Sequence, residues 1–259
     1  MTTSRVAALD GLRGLLAVLV MLSHATSMVG SNSLYWPSEV AVVLFFAMSS
    51  YFLTRSWDAR YLPFLLRRLV RLWPTYAVCL AAAFSISHRA PQWSDFFWLR
   101  YLNPTDPQAV DPPMWSLILE AWMMPLMPLI VWATGAGLGR TIAALALCIA
   151  IYPVNHFALV PFIFLGGAYF RKGEIRNRFL ESTVPQWLGK TSYSLYLSHF
   201  MVLGLSVRYL GMPGLALGIP LSFGAAWLLW KTVERPSIQL SRCIAAGKLR
   251  VLAAAHPGR

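Results

Sequence analysis

The chain has 259 residues, 57% of them hydrophobic and 12% charged, with 22 Lys and Arg against 10 Asp and Glu and a net charge of +12. Its mean hydropathy is +0.55. A soluble domain of this size needs more polar surface than such a composition supplies, so a soluble fold is excluded. In a soluble chain the basic excess would suggest a nucleic-acid partner; here cytoplasmic loops of a membrane protein account for it, and no nucleic-acid partner is expected.

Apolar blocks of bilayer-spanning length predict helices over 9–29, 39–54, 72–87, 114–134, 141–156, 158–170, 192–210 and 213–230. The first block is read as a span and not a cleaved leader, because its apolar stretch is long and no small-x-small site follows it. Between the second and third spans, RRLVR (67–71) is a basic loop that sets orientation. In the outer segment 88–113, WSDFFWLRYL (93–102) mixes aromatic and polar residues and predicts a helix at headgroup level, followed by a Pro-rich loop over 103–113. Pro153 and Pro161 interrupt the two short blocks after 114–134.

With both termini cytoplasmic, every basic residue except Arg89, Arg100 and Arg208 falls in an inner segment or at an inner helix end, as the positive-inside rule requires. The predicted fold class is therefore an all-α integral membrane bundle of about eight transmembrane helices, N and C termini cytoplasmic. One transmembrane domain is expected over 1–240, with a basic cytoplasmic tail over 241–259. Cys79, Cys148 and Cys243 show neither CxxC nor Cys/His spacing, so no disulfide framework and no metal site is indicated.

Ionisable groups inside apolar helices are costly and mark function by default. Four qualify: Arg13, His24, Glu120 and His199. Arg13 and His24 are eleven residues apart, about 20° beyond three full turns, which puts both on one face with roughly 16 Å between them along the axis. His24 and Glu120 both fall roughly 8 Å below the outer ends of their spans. An imidazole and a carboxylate at one depth can form a base and its orienting partner. The plainer reading is a set of polar contacts between helices, and a proton path in a small transporter or a non-catalytic envelope scaffold would use the same residues. No GxxxxGK[ST], GxGxxG, Gly-x-Ser-x-Gly or HExxH occurs.

LDGLRGLLAVLVMLSH (9–24) resembles the first helix of the acyltransferase 3 family, whose mark is Arg-x10-His, here Arg13 and His24. LFFAMSSYFLT (44–54), RRLVRLWPTY (67–76), WSLILEAWMMPLMPL (115–129), LGKTSYSLYLSHF (188–200) and VERP (233–236) resemble further family segments in the family's order. The chain departs from that pattern in having two helices where the family usually has four between the Trp-Ser-Leu and Ser-Tyr-Ser-Leu-Tyr helices, Ser50 where Gly is usual, and Ser198 where Trp is common.

The resemblance implies a membrane O-acyltransferase that moves an acyl group, acetyl above all, from cytoplasmic acyl-CoA to a hydroxyl of a glycan or glycolipid. That activity is O-acetylation of polysaccharide in the cell envelope, at the bacterial inner membrane, with no metal. On this reading Arg13, His24 and Glu120 are catalytic, with His24 as general base or acyl carrier. Arg13, Arg67, Arg68, Arg71 and Tyr76 bind the donor. Trp115, Ser116, Ser50, Tyr193 and His199 bind the acceptor.

Overall fold

A computed structural model describes residues 6–87, 95, 111–135, 137–154, 158–170 and 176–245. The described elements are helices: α1 (Ala7–Met28), α2 (Tyr35–Arg55), α3 (Tyr61–Ser87), α4 (Met114–Met123), α5 (Met127–Gly135), α6 (Leu138–Ile151), α7 (Leu159–Tyr169), α8 (Thr183–Leu210), α9 (Gly214–Leu229) and α10 (Arg235–Ala245). The predicted headgroup-level helix over 93–102, apart from Asp95, lies outside the described residues, as do loop residues 103–110 and the tail beyond 245.

Four helical stretches are long and apolar enough to cross a bilayer: Ala7–Met28, Tyr35–Arg55, Tyr61–Ser87 and Gly214–Ile244. A fifth is the pair α4 and α5, expected as one span over 114–134 but bent by 64°. Pro125 and Pro128 cause the break, since neither can donate to the carbonyl four residues back. This is short of the eight spans expected. With 14 and 11 residues, α6 and α7 reach only about 21 and 16 Å at the helical rise. At 28 residues α8 has the length, but Thr191, Ser192, Ser194, Ser198 and His199 lower its hydropathy. Those side chains are buried within the bundle, out of contact with lipid, so α8 need not be apolar throughout.

The α1–α8 pair is the spine of the bundle. The two helices run parallel, and Gly11, Gly14 and Gly189 let their backbones touch: a Cβ built on Gly14 would fall on the Gly189 amide, and one on Gly189 would fall on the Asp10 carbonyl. Small residues at a helix crossing are how membrane helices approach closely when lipid supplies no hydrophobic drive. Ala17, Met21 and Ala25 continue the seam against Leu195 and Leu203. At the far end Ser23 bonds Ser38 at 3.0 Å, which sets α2 antiparallel to α1.

Ser50 of α2 donates to the Phe164 carbonyl, and Gly167 rests on the Ala47 backbone. That register makes α7 antiparallel to α2. The charge pattern predicted that 39–54 and 158–170 run in the same sense; close backbone approach at Gly167 decided the direction instead, and Arg171, on which the expectation rested, lies outside the described residues.

At the other end of α2, Asp58 joins the α2–α3 corner by bonds to Arg60 at 2.9 Å and Arg67 at 3.1 Å. Burial alone would raise the Asp58 carboxyl, but the Arg60 hydrogen bonds and the Arg67 charge outweigh it and hold it below the usual carboxylate range. A depressed carboxyl stabilises the fold above its unfolded pKa and loses that contribution as pH falls through the folded value. Asp58→Asn is therefore expected to melt slightly below wild type at pH 7, with the gap closing at about pH 3. Melting curves in detergent at the two pH values check this; a gap of equal size at both would remove the ion pairs as its cause.

Candidate active site

Arg13 lies on the α8 side of α1. Its Nε donates to Ser192 Oγ at 3.1 Å and its terminal nitrogen to the Gly189 carbonyl at 3.3 Å, with Asp10 3.7 Å away. His24 also faces α8, where its ring centroid is 5.3 Å from that of His199 and 5.3 Å from that of Phe200. Arg13 and His24 thus share the face that their eleven-residue spacing predicts.

From Arg13 an interior cavity of about 600 Å³ extends between α1, α2, α3, α4 and α8. One end is cationic, with Arg13, Arg55, Arg68, Arg71 and Arg242 in its wall. The expected basic loop over 67–71 is instead part of α3, which starts at Tyr61, so Arg68 and Arg71 project from a helix into the cavity. A polar cavity removes most of the cost of carrying those charges on a membrane helix. Arg68 is held by Ser56 Oγ and lies over the Phe64 ring at 5.7 Å. Arg67 turns the other way, donates to the Pro63 carbonyl at 3.2 Å and pairs with Asp58. It is not in the cavity wall.

Besides Asp10, which lines the cavity beside Arg13, two further carboxylates answer this charge. Glu120 on α4 lines the cavity, shares a hydrogen bond with Ser49 and lies within the electrostatic reach of Arg13, Arg68 and Arg71. The expected Glu120–His24 pair is not what the structure brings together: α4 does not pack along α1, and the described ring partners of His24 are on α8. The second carboxylate is Glu234, which sequence reasoning missed. It is buried, accepts from Ser194 Oγ at 2.6 Å and acts on Arg13 and Arg71. A π-helical turn, Trp230–Glu234, aims it inward. Pro236 cannot donate to the Thr232 carbonyl, and the widened turn follows. The signal available in the sequence was the Glu-Arg-Pro order of VERP.

Away from the guanidinium groups the wall includes Ser116 and Tyr196, whose hydroxyls are 2.7 Å apart. Behind Tyr196 stands His199, with ring centroids 5.9 Å apart. His199 is fully buried; its Nδ1 is 3.0 Å from the Leu195 carbonyl and its Nε2 has no hydrogen-bond partner among the described residues. His24 follows on the other side of that ring. The expected single groove from Arg13 to His24 is not what this cavity forms: Arg13 lines it, whereas His24 and His199 are not among its lining residues.

Of the remaining predicted residues, Tyr193 lines the cavity and donates to the Leu72 carbonyl at 2.9 Å, just before Pro74 inside α3. Three others are packing residues outside the wall. Tyr76 is fully buried and donates to the Asp95 carbonyl at 2.7 Å. Trp115 packs edge-on to Phe46, 6.5 Å between centroids. Ser50 ties α2 to α7, as described above.

Apolar helices around a charged interior cavity, with two imidazoles near its Tyr196 wall, define an integral membrane protein with a polar interior chamber. A family model described as an acyltransferase domain matches residues 6–164, more than half of the chain. The protein belongs to the acyltransferase 3 family and is a membrane acyltransferase. Arg13, His24 and Glu120 fall inside the matched region, whereas His199 and Glu234 lie beyond it. No curated protein and no solved structure matches the chain.

Proposed function

We propose that the protein transfers an acyl group, most simply acetyl, from acyl-CoA to a hydroxyl of a glycan or glycolipid acceptor at a bacterial inner membrane. The observation that supports this best is the polarity of the cavity along its axis, with clustered guanidinium groups at one end and the Ser116–Tyr196 hydroxyl pair at the other, next to the two imidazoles. Guanidinium forks suit the phosphates of the donor. The basic end then faces the cytoplasm, and Arg208, near the opposite end of α8, faces outward.

The thioester arm lies along the cavity toward Tyr196, and the acceptor reaches His24 from the opposite side. His24 takes the proton of the acceptor hydroxyl as that oxygen attacks the thioester carbon. The C–S bond breaks, the ester C–O bond forms, and the proton returns to the departing CoA thiolate. Transfer requires the acyl group to pass the Ser116–Tyr196 pair, which separates the donor cavity from His24. Glu120 acts on the donor side, balancing Arg13, Arg68 and Arg71.

Membranes containing the protein are expected to release CoA from radiolabelled acetyl-CoA with label appearing in envelope glycans, and membranes lacking it are not. Absence of that difference overturns the reading. Arg13→Ala removes charge-assisted bonds at the donor end and is expected to raise the acetyl-CoA KM about 10- to 100-fold; unchanged kinetics remove Arg13 from donor binding. Mass spectrometry of glycans with and without the gene identifies acyl group and acceptor together, through a mass change of one acyl unit.

A further inference from the structure

A second chamber of about 270 Å³ lies at the basic end of the bundle. It shares Arg13, Arg71, Glu234 and Arg242 with the main cavity, and adds Lys190 from α8, Trp230 from the π-helical turn and Arg235 from the first turn of α10. Five cationic side chains therefore face a chamber that holds one carboxylate, Glu234, and Ser194 already occupies an oxygen of that carboxylate. Lys190, Arg235 and Arg242 are exposed at its mouth, and such an excess of positive charge in a small concave space suits a multiply charged anion. The aromatic wall narrows the class of ligand. Trp230 is half-exposed beside this charge, and the Arg235 guanidinium carbon stands 5.8 Å from the indole centroid. A flat ring in the ligand could stack there while its phosphates meet Lys190, Arg235 and Arg242.

Because Arg13, Arg71 and Glu234 stand in both walls, a ligand seated in the small chamber continues into the large one without leaving the cationic surface. We propose that the second chamber is the docking site for the nucleotide end of the donor, a purine nucleoside bearing several phosphates, with the acyl-carrying arm directed into the main cavity. This rests on the acyl-CoA reading above and extends it to Lys190, Trp230 and Arg235. Glu234 lines both chambers and is the carboxylate that they share, together with Arg13 and Arg71.

The probe is adenosine 3′,5′-bisphosphate, titrated by calorimetry into the purified full chain in nanodiscs of phosphatidylcholine, and again in nanodiscs containing phosphatidylglycerol. It is expected to bind wild type in both lipids and to bind Lys190→Ala/Arg235→Ala at least about tenfold more weakly. Trp230→Leu is expected to weaken the bisphosphate but not inorganic pyrophosphate. In turnover, the double variant is expected to raise the KM for acetyl-CoA at least about tenfold with kcat retained, and to leave the kinetics with acetyl-pantetheine, which lacks the nucleotide, unchanged.

No binding of the bisphosphate to wild type overturns the proposal, as does a double variant that alters both donors alike. Retained nucleotide affinity in the double variant together with lost affinity for phosphatidylglycerol would also overturn it, and would make the chamber a lipid-headgroup site. Bisphosphate binding without transfer from either donor would instead remove the acyltransferase reading of this chain and leave the nucleotide site standing. Transfer from both donors with equal KM does the reverse.

Discussion

Membranes carrying His24→Ala are expected to transfer labelled acetyl groups about 100-fold more slowly than wild type, or slower still, with the KM for the donor little changed. A positioned general base contributes about 10²–10⁴-fold, and among the described residues the other imidazole is that of His199, which is fully buried. The split between kcat and KM is the informative part, because His24 is not among the residues that line the main cavity, where the donor is proposed to bind. A loss confined to kcat agrees with a base acting on the acceptor. A rise in donor KM of equal size would place His24 in donor binding, and full activity would remove it from the reaction. Since His24 also packs on His199 and Phe200, the variant should first be shown to run as one peak in size exclusion at the wild-type position.

Gly14→Val is expected to abolish activity by a different route. Any Cβ at Gly14 meets the Gly189 amide and the Leu188 backbone, and neither can yield without moving α8. Overpacking of a tight interior costs about 1–3 kcal/mol where side chains can adjust, and here the obstacle is backbone. Separation of the helices would also break the Arg13 bonds to Ser192 and Gly189, and so remove the guanidinium from both chambers. The expected readout is a fall in melting temperature in detergent of at least about 5 °C, with loss of turnover. Gly14→Ala should show a smaller fall in the same direction. Gly139→Ala is the control, because a Cβ there meets open space, and its melting temperature should be unchanged or slightly raised. Equal stability of all three variants would show that α1 and α8 do not touch through these glycines.

Much of the bundle was legible in the chain. Long apolar runs located α1, α2, α9 and the later part of α3, since hydrocarbon requires such runs wherever a helix faces it. The starts of α3 and α8 were not legible. The early part of α3 carries Arg67, Arg68 and Arg71 and that of α8 carries Gln186 and Lys190, and a hydropathy reading stops at such residues. The break at Pro125 was written in PLMP, but whether two prolines kink a span or divide it depends on what packs beside them. Among the candidate residues, Arg13, Arg68, Arg71, Glu120, Ser116 and Tyr193 line the cavity, whereas Arg67, Tyr76, Trp115 and Ser50 make structural contacts. Basic and aromatic residues in adjacent helical turns look alike in sequence, and one step of about 100° separates a side chain in the cavity from one against Asp58.

The sequence by itself determined that the chain is a helical membrane protein, that it belongs with the acyltransferase 3 family, and that Arg13 and His24 face the same way. Composition, apolar run length and helical periodicity are local properties and need no partner. Only the tertiary structure decided that His24 meets His199 and not Glu120, that Glu234 lines both chambers, and that the two imidazoles lie outside the lining of the main cavity. Each of these depends on which helix lies beside which, and for α1 and α8 that choice was made by backbone contact at glycines 175 positions apart in the chain, Gly14 and Gly189.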